Sequence, residues 1–124
     1  MERYYFRGIR GATTVEHNDR MEILEGTKEL LKTIIEENEV LVEDVAGIHF
    51  SMTEDLDQEF PALAARHLGW NYVPMICYNE ITTPHGLKKC IRLLMYVNTT
   101  KSQDEIKHIY LKEAKNLRPD LFER

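Results

Sequence analysis

Apolar residues recur along this chain in two rhythms, and each switch between them marks an element. Residues 19–38 keep a helical period, with Ile23, Leu24, Thr27, Leu30, Leu31, Ile34 and Ile35 on one side. Glu25, Lys28, Glu29, Lys32 and Glu36 take the wet side, so the spacing predicts one long helix. Asn18 or Asp19 is its cap, and Asp19 followed by Glu22 resembles a capping box. Residues 60–68 (FPALAARHL) predict a short helix, with Pro61 suited to the first turn and Gly69 ending it. Elsewhere the pattern alternates or runs apolar without a break. Residues 4–14 (YYFRGIRGATT), 45–52 (VAGIHFSM), 72–77 (YVPMIC), 87–97 (LKKCIRLLMYV) and 106–111 (IKHIYL) predict strands. Pro74 cannot donate to a ladder, which puts the third strand at an edge or a bulge. Residues 53–59, 81–86 and 98–104 are loops by composition. The tail, 112–124, carries a short helical stretch and is expected to be mobile until something binds.

Five strands with one long and one short helix make a single α+β domain built on a mixed five-stranded sheet. The fourth strand is almost continuously apolar, the mark of cover on both faces. One long helix cannot cover a whole sheet twice. The missing cover is expected from sister subunits, which makes the chain an oligomer.

Composition narrows the class of function. At 124 residues, 43% hydrophobic and 30% charged, the chain is a folded globular domain rather than a disordered one. A net charge of −5, with no run of Lys or Arg longer than two, argues against nucleic acid as a partner. An anionic ligand would have to be attracted locally, by a few placed arginines, because the overall field opposes it. The apolar runs are far shorter than a membrane span. Cys77 and Cys90 make no disulfide framework, and with His85 they form C-x7-H-x4-C, which fits no usual zinc spacing. Neither a metal nor a membrane is expected, and a reducing, cytoplasmic location is.

Arg92 breaks the apolar fourth strand and shares a face with Cys90, Leu94 and Tyr96. A guanidinium keeps its proton and is rarely buried alone, so Arg92 must meet a protein carboxylate or a bound anion. Glu80 is the nearest candidate in sequence. From these residues a structural ion pair and a ligand site remain equally open. Arg10 sits between Gly8 and Gly11, which suggests a close approach of backbone or ligand there. Arg7 reads as a solvated edge residue and Arg66 as a solvated helix residue. His49, alone in a strand, is given no role.

Seven segments in order carry a resemblance: RGIRGATTVE, FPA-x-A-x-R, GW-x-YVP, C-x-x-E, GLKKCIR, H-x-YL and LRPDL. Together, from about Arg7 to Leu121, they resemble the monofunctional chorismate mutases of the AroH class. That resemblance implies a chorismate-mutase-like fold in which three subunits form a pseudo-barrel with a site at each interface. It implies the rearrangement of chorismate to prephenate, on the route to phenylalanine and tyrosine, without a cofactor. Chorismate is a dianion and its rearrangement is intramolecular, so positioning and electrostatics carry the catalysis. The resemblance assigns Arg92 to the breaking ether oxygen, Glu80 to the ring hydroxyl and the positive charge developing on the ring, and Arg10 to carboxylate and ether groups. It also assigns Tyr110 to binding beside Arg10, and Cys77 to a hydrogen bond near the hydroxyl. The backbone of Ile76, Cys77, Tyr78 and Asn79 would line the pocket. Arg66 would stand at the mouth, Phe60 and Leu117 would close the apolar sides, and Arg118 would help when the tail folds over.

Several positions depart from the family pattern. Leu63 stands where the family's helix often carries a lysine. The segment 66–70 is one residue shorter than in the Bacillus form. Thr83-Pro84-His85-Gly86 replaces a glycine-rich turn, and Ile76 replaces a threonine. Two competing readings use the same residues: a trimeric module that senses a small dicarboxylate, and an acid–base enzyme pairing Glu80 with His85.

Overall fold

The computed structural model describes residues 2–118. The long helix forms where the 3.6-residue period predicts it, as α1 (Arg20–Glu37), and buries Ile23, Leu24, Leu30, Leu31 and Ile34. Asp19 caps it by accepting the Glu22 amide at 3.0 Å. The capping box is only half made. The Asp19 amide already donates to the His17 carbonyl at 2.8 Å, so the Glu22 carboxylate reaches further back, to the Glu16 and His17 amides at 3.2 and 3.1 Å. At the other end, buried Asn38 hooks the helix to the last strand. Its amide group donates to the Lys107 carbonyl, and its oxygen accepts the Lys107 N–H, at 2.9 and 2.8 Å.

The strands are β1 (Tyr5–Thr14), β2 (Val45–Met52), β3 (Met75–Asn79), β4 (Cys90–Thr99) and β5 (Ile109–Tyr110), with the short helix α2 (Ala62–His67) between β2 and β3. They form one mixed sheet in the order β3-β2-β4-β1-β5. The central β4 runs antiparallel to β1 and β2, while β5 is parallel to β1 and β3 parallel to β2. An α+β domain on a five-stranded mixed sheet is what the pattern predicts. Three strands change their bounds. The strand expected at 72–77 starts after Pro74 and runs on to Asn79. Pro74 lacks an N–H but still offers its carbonyl, which accepts the Ile48 amide at 3.0 Å, so pairing begins there at the sheet edge. The strand expected at 87–97 starts at Cys90 and ends at Thr99, and β5 is two residues long rather than six.

The faces of the sheet differ in cover. Ile9, Ile48, Phe50, Leu93, Met95 and Val97 pack with Leu30, Leu31 and Ile34 of α1, and with Ala65 and Trp70, in the main core. On the opposite face Arg10, Arg92, Leu94, Tyr96, His49, Ile76 and Tyr78 fall in register, and none of them is buried. Among the described residues, the cover expected on the second face of β4 is therefore not supplied. One end of the open face is roofed by a 3-10 segment, Lys112–Leu117, whose Ala114 packs with Ala12, Cys90 and Tyr110. The remaining aromatics lean on one another: Phe6 stacks on Tyr96 at 5.3 Å and His49 on Tyr78 at 5.6 Å.

At Gly11 the side chains of α1 come close against the sheet. A Cβ there would lie 2.6 Å from Ile34 Cδ1 and 3.3 Å from Leu30 Cδ1. Both leucine and isoleucine are fully buried and cannot swing aside. The close approach inferred from the glycines is thus made by α1 side chains. Gly11→Ala is expected to destabilise the fold by about 1–3 kcal/mol through overpacking. Denaturant unfolding measures this, and an unchanged midpoint would mean that the helix yields freely.

Candidate functional site

Beyond the last β3 residue, the ladder continues for one more hydrogen bond: the Glu80 amide donates to the Met52 carbonyl at 2.7 Å. This fixes the Glu80 backbone at the sheet edge and leaves its side chain on the open face. Ser51, in register with Arg92 on the neighbouring strand, donates its hydroxyl to Glu80 Oε2 at 3.2 Å. Arg92 Nη1 lies 3.4 Å from the same oxygen, and the two side chains are 45% and 26% exposed. The contact is single, not a bidentate fork. Both side chains line a groove of about 550 Å³ whose walls are residues 53–55, 80–84 and 86–88, with Cys90 and Leu117. The ion pair and the groove are thus one place. Arg92, expected to be held out of water, is half-exposed here because no described residue covers β4 on that face at this point.

The start of β4 is held by a clamp that the sequence pattern shows only as a polar loop. The Lys89 amide donates to both carboxylate oxygens of Asp55, at 3.1 and 3.0 Å. Thr53 Oγ1 accepts the Cys90 amide at 3.0 Å, and the Thr53 amide returns a bond to the Cys90 carbonyl at 3.1 Å. Lys89 adopts φ 49°, left-handed. No local signal marks Thr53 or Asp55. A Thr-x-Asp turn is common in solvated loops, and the partner amides lie more than thirty residues away.

Arg10 shares the open face. Its register partner is Leu94, and that of Ala12 is Arg92, which makes Arg10 and Arg92 diagonal neighbours, roughly 7–8 Å apart in a sheet. Arg10 nevertheless lines a second, smaller groove of about 330 Å³, with Phe6, Arg7, Leu94, Ile106 and His108. Its amide donates to His108 Nδ1 at 2.9 Å. Burial first, then the nearby Arg10 and Arg118 cations, hold the His108 imidazole below its ordinary range. Tyr110 stands opposite Ala12 and is buried against Cys90. Arg7 is not a solvated edge residue: its Nε donates to the Lys101 carbonyl at 3.1 Å, and its guanidinium lies over the Tyr5 ring.

The other residues expected at the site stand apart from the Arg92 groove. Ile76 and Tyr78 are exposed on the edge strand, 52% and 48%, and Asn79 is exposed beside them. The Cys77 side chain packs on the helix side with the main core. Burial pushes its thiol up, against the opposing pull of the Ala62 backbone and of Arg66. Phe60 is 68% exposed just before α2, and Arg66 is exposed on that helix. His85 is exposed and is not among the residues that line the groove. Arg118 is the last described residue, and Pro119, Asp120 and Leu121 of the LRPDL segment lie outside the described residues, as does the rest of the tail. No helix among the described residues is long and apolar enough to cross a membrane.

Comparison with known proteins bears directly on this arrangement. The model of the chorismate mutase type I family matches residues 6–121. A chorismate mutase AroH from Bacillus subtilis (strain 168) is 54% identical over 116 residues, covering 93% of this chain and 91% of the relative. Another, from Thermus thermophilus, is 45% identical over 116 residues, covering 93% and 95%. The solved structure of a chorismate mutase from Clostridium thermocellum superposes with a TM-score of 0.87 at 48% identity, over 89% of this chain and 98% of that one. With the family model matched over residues 6–121 and full-length relatives at 45–54% identity, the chain belongs to the chorismate mutase type I family.

Proposed function

We propose that this isomerase rearranges chorismate to prephenate in the Arg92 groove, and that the groove is completed by a neighbouring copy of the chain in a homotrimer. The observation that carries the first half is the Arg92–Glu80 pair, a cation and an anion 3.4 Å apart on one groove wall. In the rearrangement a C–O bond breaks while a C–C bond forms within one molecule. The ether oxygen gains negative charge and the ring gains positive charge. Arg92 answers the first and Glu80 the second, and Glu80 also accepts the hydrogen bond of the ring hydroxyl. Both groups are fixed before substrate arrives, which is how electrostatic stabilisation becomes effective. Arg10 and Tyr110, on the same face, bind carboxylate and ether groups, and Leu117 closes an apolar side.

Covalent chemistry has no part in this reading. Cys90, on the groove wall, is pushed up to about 11, first by burial, with Arg92 pulling it down and Glu80 and Asp55 pushing it further up. At neutral pH it is a thiol, not a nucleophile. Both cysteines are free.

Support for the trimer comes from what one chain leaves undone. The face bearing Arg10, Arg92, Leu94 and Tyr96 has little cover, and Phe60, Arg66 and the β3 edge residues Ile76, Cys77, Tyr78 and Asn79 do not line the Arg92 groove. A head-to-tail ring brings the edge of one copy to the open face of the next and closes both deficits at once. The reacting dianion is then held by arginines from two chains.

Arg92→Ala is expected to lower kcat by ~10³ or more while the trimer persists; chorismate absorbance and light scattering read the two effects, and near-normal kcat removes Arg92 from its role. Co-refolding Arg92→Ala with Arg66→Ala tests the shared site. Random reassembly restores about one quarter of the interfaces, so activity should rise above that of either variant, and no recovery means that each site is built within one chain. Iodoacetamide at pH 8 should modify Cys90 roughly two orders of magnitude more slowly than a free cysteine, as read by mass spectrometry, without loss of mutase activity during that time.

A further inference from the structure

The β1–β5 ladder is unusually brief, and it stops where chemistry begins. Only Gly11 with Ile109 and Ala12 with Tyr110 are paired. The next amide back along β1 belongs to Arg10, and it finds its acceptor in a side chain, His108 Nδ1, at 2.9 Å. The backbone carrying that ring is held on both sides. Asn38 takes the N–H and the carbonyl of Lys107 immediately before it, and Ile109 is in the sheet immediately after it. An acceptor at Nδ1 requires that nitrogen to be unprotonated, which makes the ring the neutral Nε2–H tautomer.

Taking Arg10 as the substrate-binding cation of the reading above, we propose that His108 is a positioning residue for the reaction. Its Nδ1 holds the Arg10 amide and so fixes the backbone from which the Arg10 guanidinium reaches the substrate. The role is that of an acceptor in one place, not of an acid or a base. The surroundings agree with it. The charged groups facing the ring are Arg10 and Arg7 of β1 and Arg118 at the end of the 3-10 segment. Leu94 of β4 and Gln103 and Ile106 of the preceding turn complete the groove, and no carboxylate lines it among the described residues. Burial, with Arg10 and Arg118, resists a second proton, so the contact persists through neutral pH and is lost only as pH falls below the usual imidazole range. A protonated ring would set N–H against N–H.

Asparagine and glutamine separate this role from simple packing. The side-chain oxygen of Asn falls where Nδ1 lies, whereas the amide of Gln falls where Nε2 lies. His108→Asn should keep most of kcat/KM, while His108→Gln and His108→Leu should lose roughly 10–10²-fold, all with near-normal thermal midpoints. In the wild-type protein, long-range proton–nitrogen correlation spectra at pH 7 should show a neutral ring bearing its proton on Nε2. Exchange of the Arg10 amide should be slow in wild type and in His108→Asn but fast in His108→Gln. A proton on Nδ1, or a Gln variant as active as the Asn variant, overturns the proposal. Arg10→Ala separates it from its premise. Full activity in Arg10→Ala removes the role of Arg10 and the proposal with it, whereas an inactive Arg10→Ala beside a fully active His108→Gln removes the proposal alone.

Discussion

Arg92 and Glu80 meet at 3.4 Å with much of the guanidinium still open to the groove. An ion pair left partly in water contributes at most about 1 kcal/mol to stability, so it is a poor reason to place an arginine in the central strand of a sheet. Its energetic weight changes when the groove is filled. Removing water lowers the local dielectric, and the same charges act far more strongly on whatever lies between or beside them. Much of the surrounding structure serves to keep the pair in place beforehand. The β2–β3 ladder is carried one residue past its end to hold Glu80, Ser51 orients the carboxylate, and the Thr53–Asp55 clamp sets where β4 begins.

This division of labour runs through the whole sheet. One face is committed to α1 and α2 and forms a continuous core from Ile9 to Val97, with Gly11 shaved to nothing so that Ile34 can approach. The other face carries the cations, the aromatic stacks and both grooves. Alternation along β1 and β4 is therefore also an alternation between stability and chemistry. A one-residue slip in either strand would exchange the two and destroy both.

How far this could be read beforehand depends on the range of the physics involved. Helix α1 and strand β2 were legible because their periodicity is local and their burial follows from it. Boundaries at Pro74 and Leu87 were not, since a proline can still lend its carbonyl to a ladder and since residues 87–89 belong to a turn that Asp55 holds from far away in the chain. The importance of Arg92 followed from the impossibility of burying a guanidinium alone, and Glu80 followed as its partner. Phe60 and Arg66, by contrast, have no physical signal of their own: each reads as an exposed residue at a short helix, and only the family resemblance raises it. His108 was legible merely as one side of a strand, because its acceptor role depends on an amide 98 positions away.

Lys89 lies on the approach to the strand that carries Arg92, at φ 49°, a backbone shape that penalises branching at Cβ. Its amide, not its ammonium group, is what Asp55 grips. Main-chain geometry therefore limits what the position accepts: glycine, asparagine or an unbranched side chain fits there, whereas valine, isoleucine and threonine are strained. A residue whose side chain does little is thus kept by the shape of the chain it interrupts.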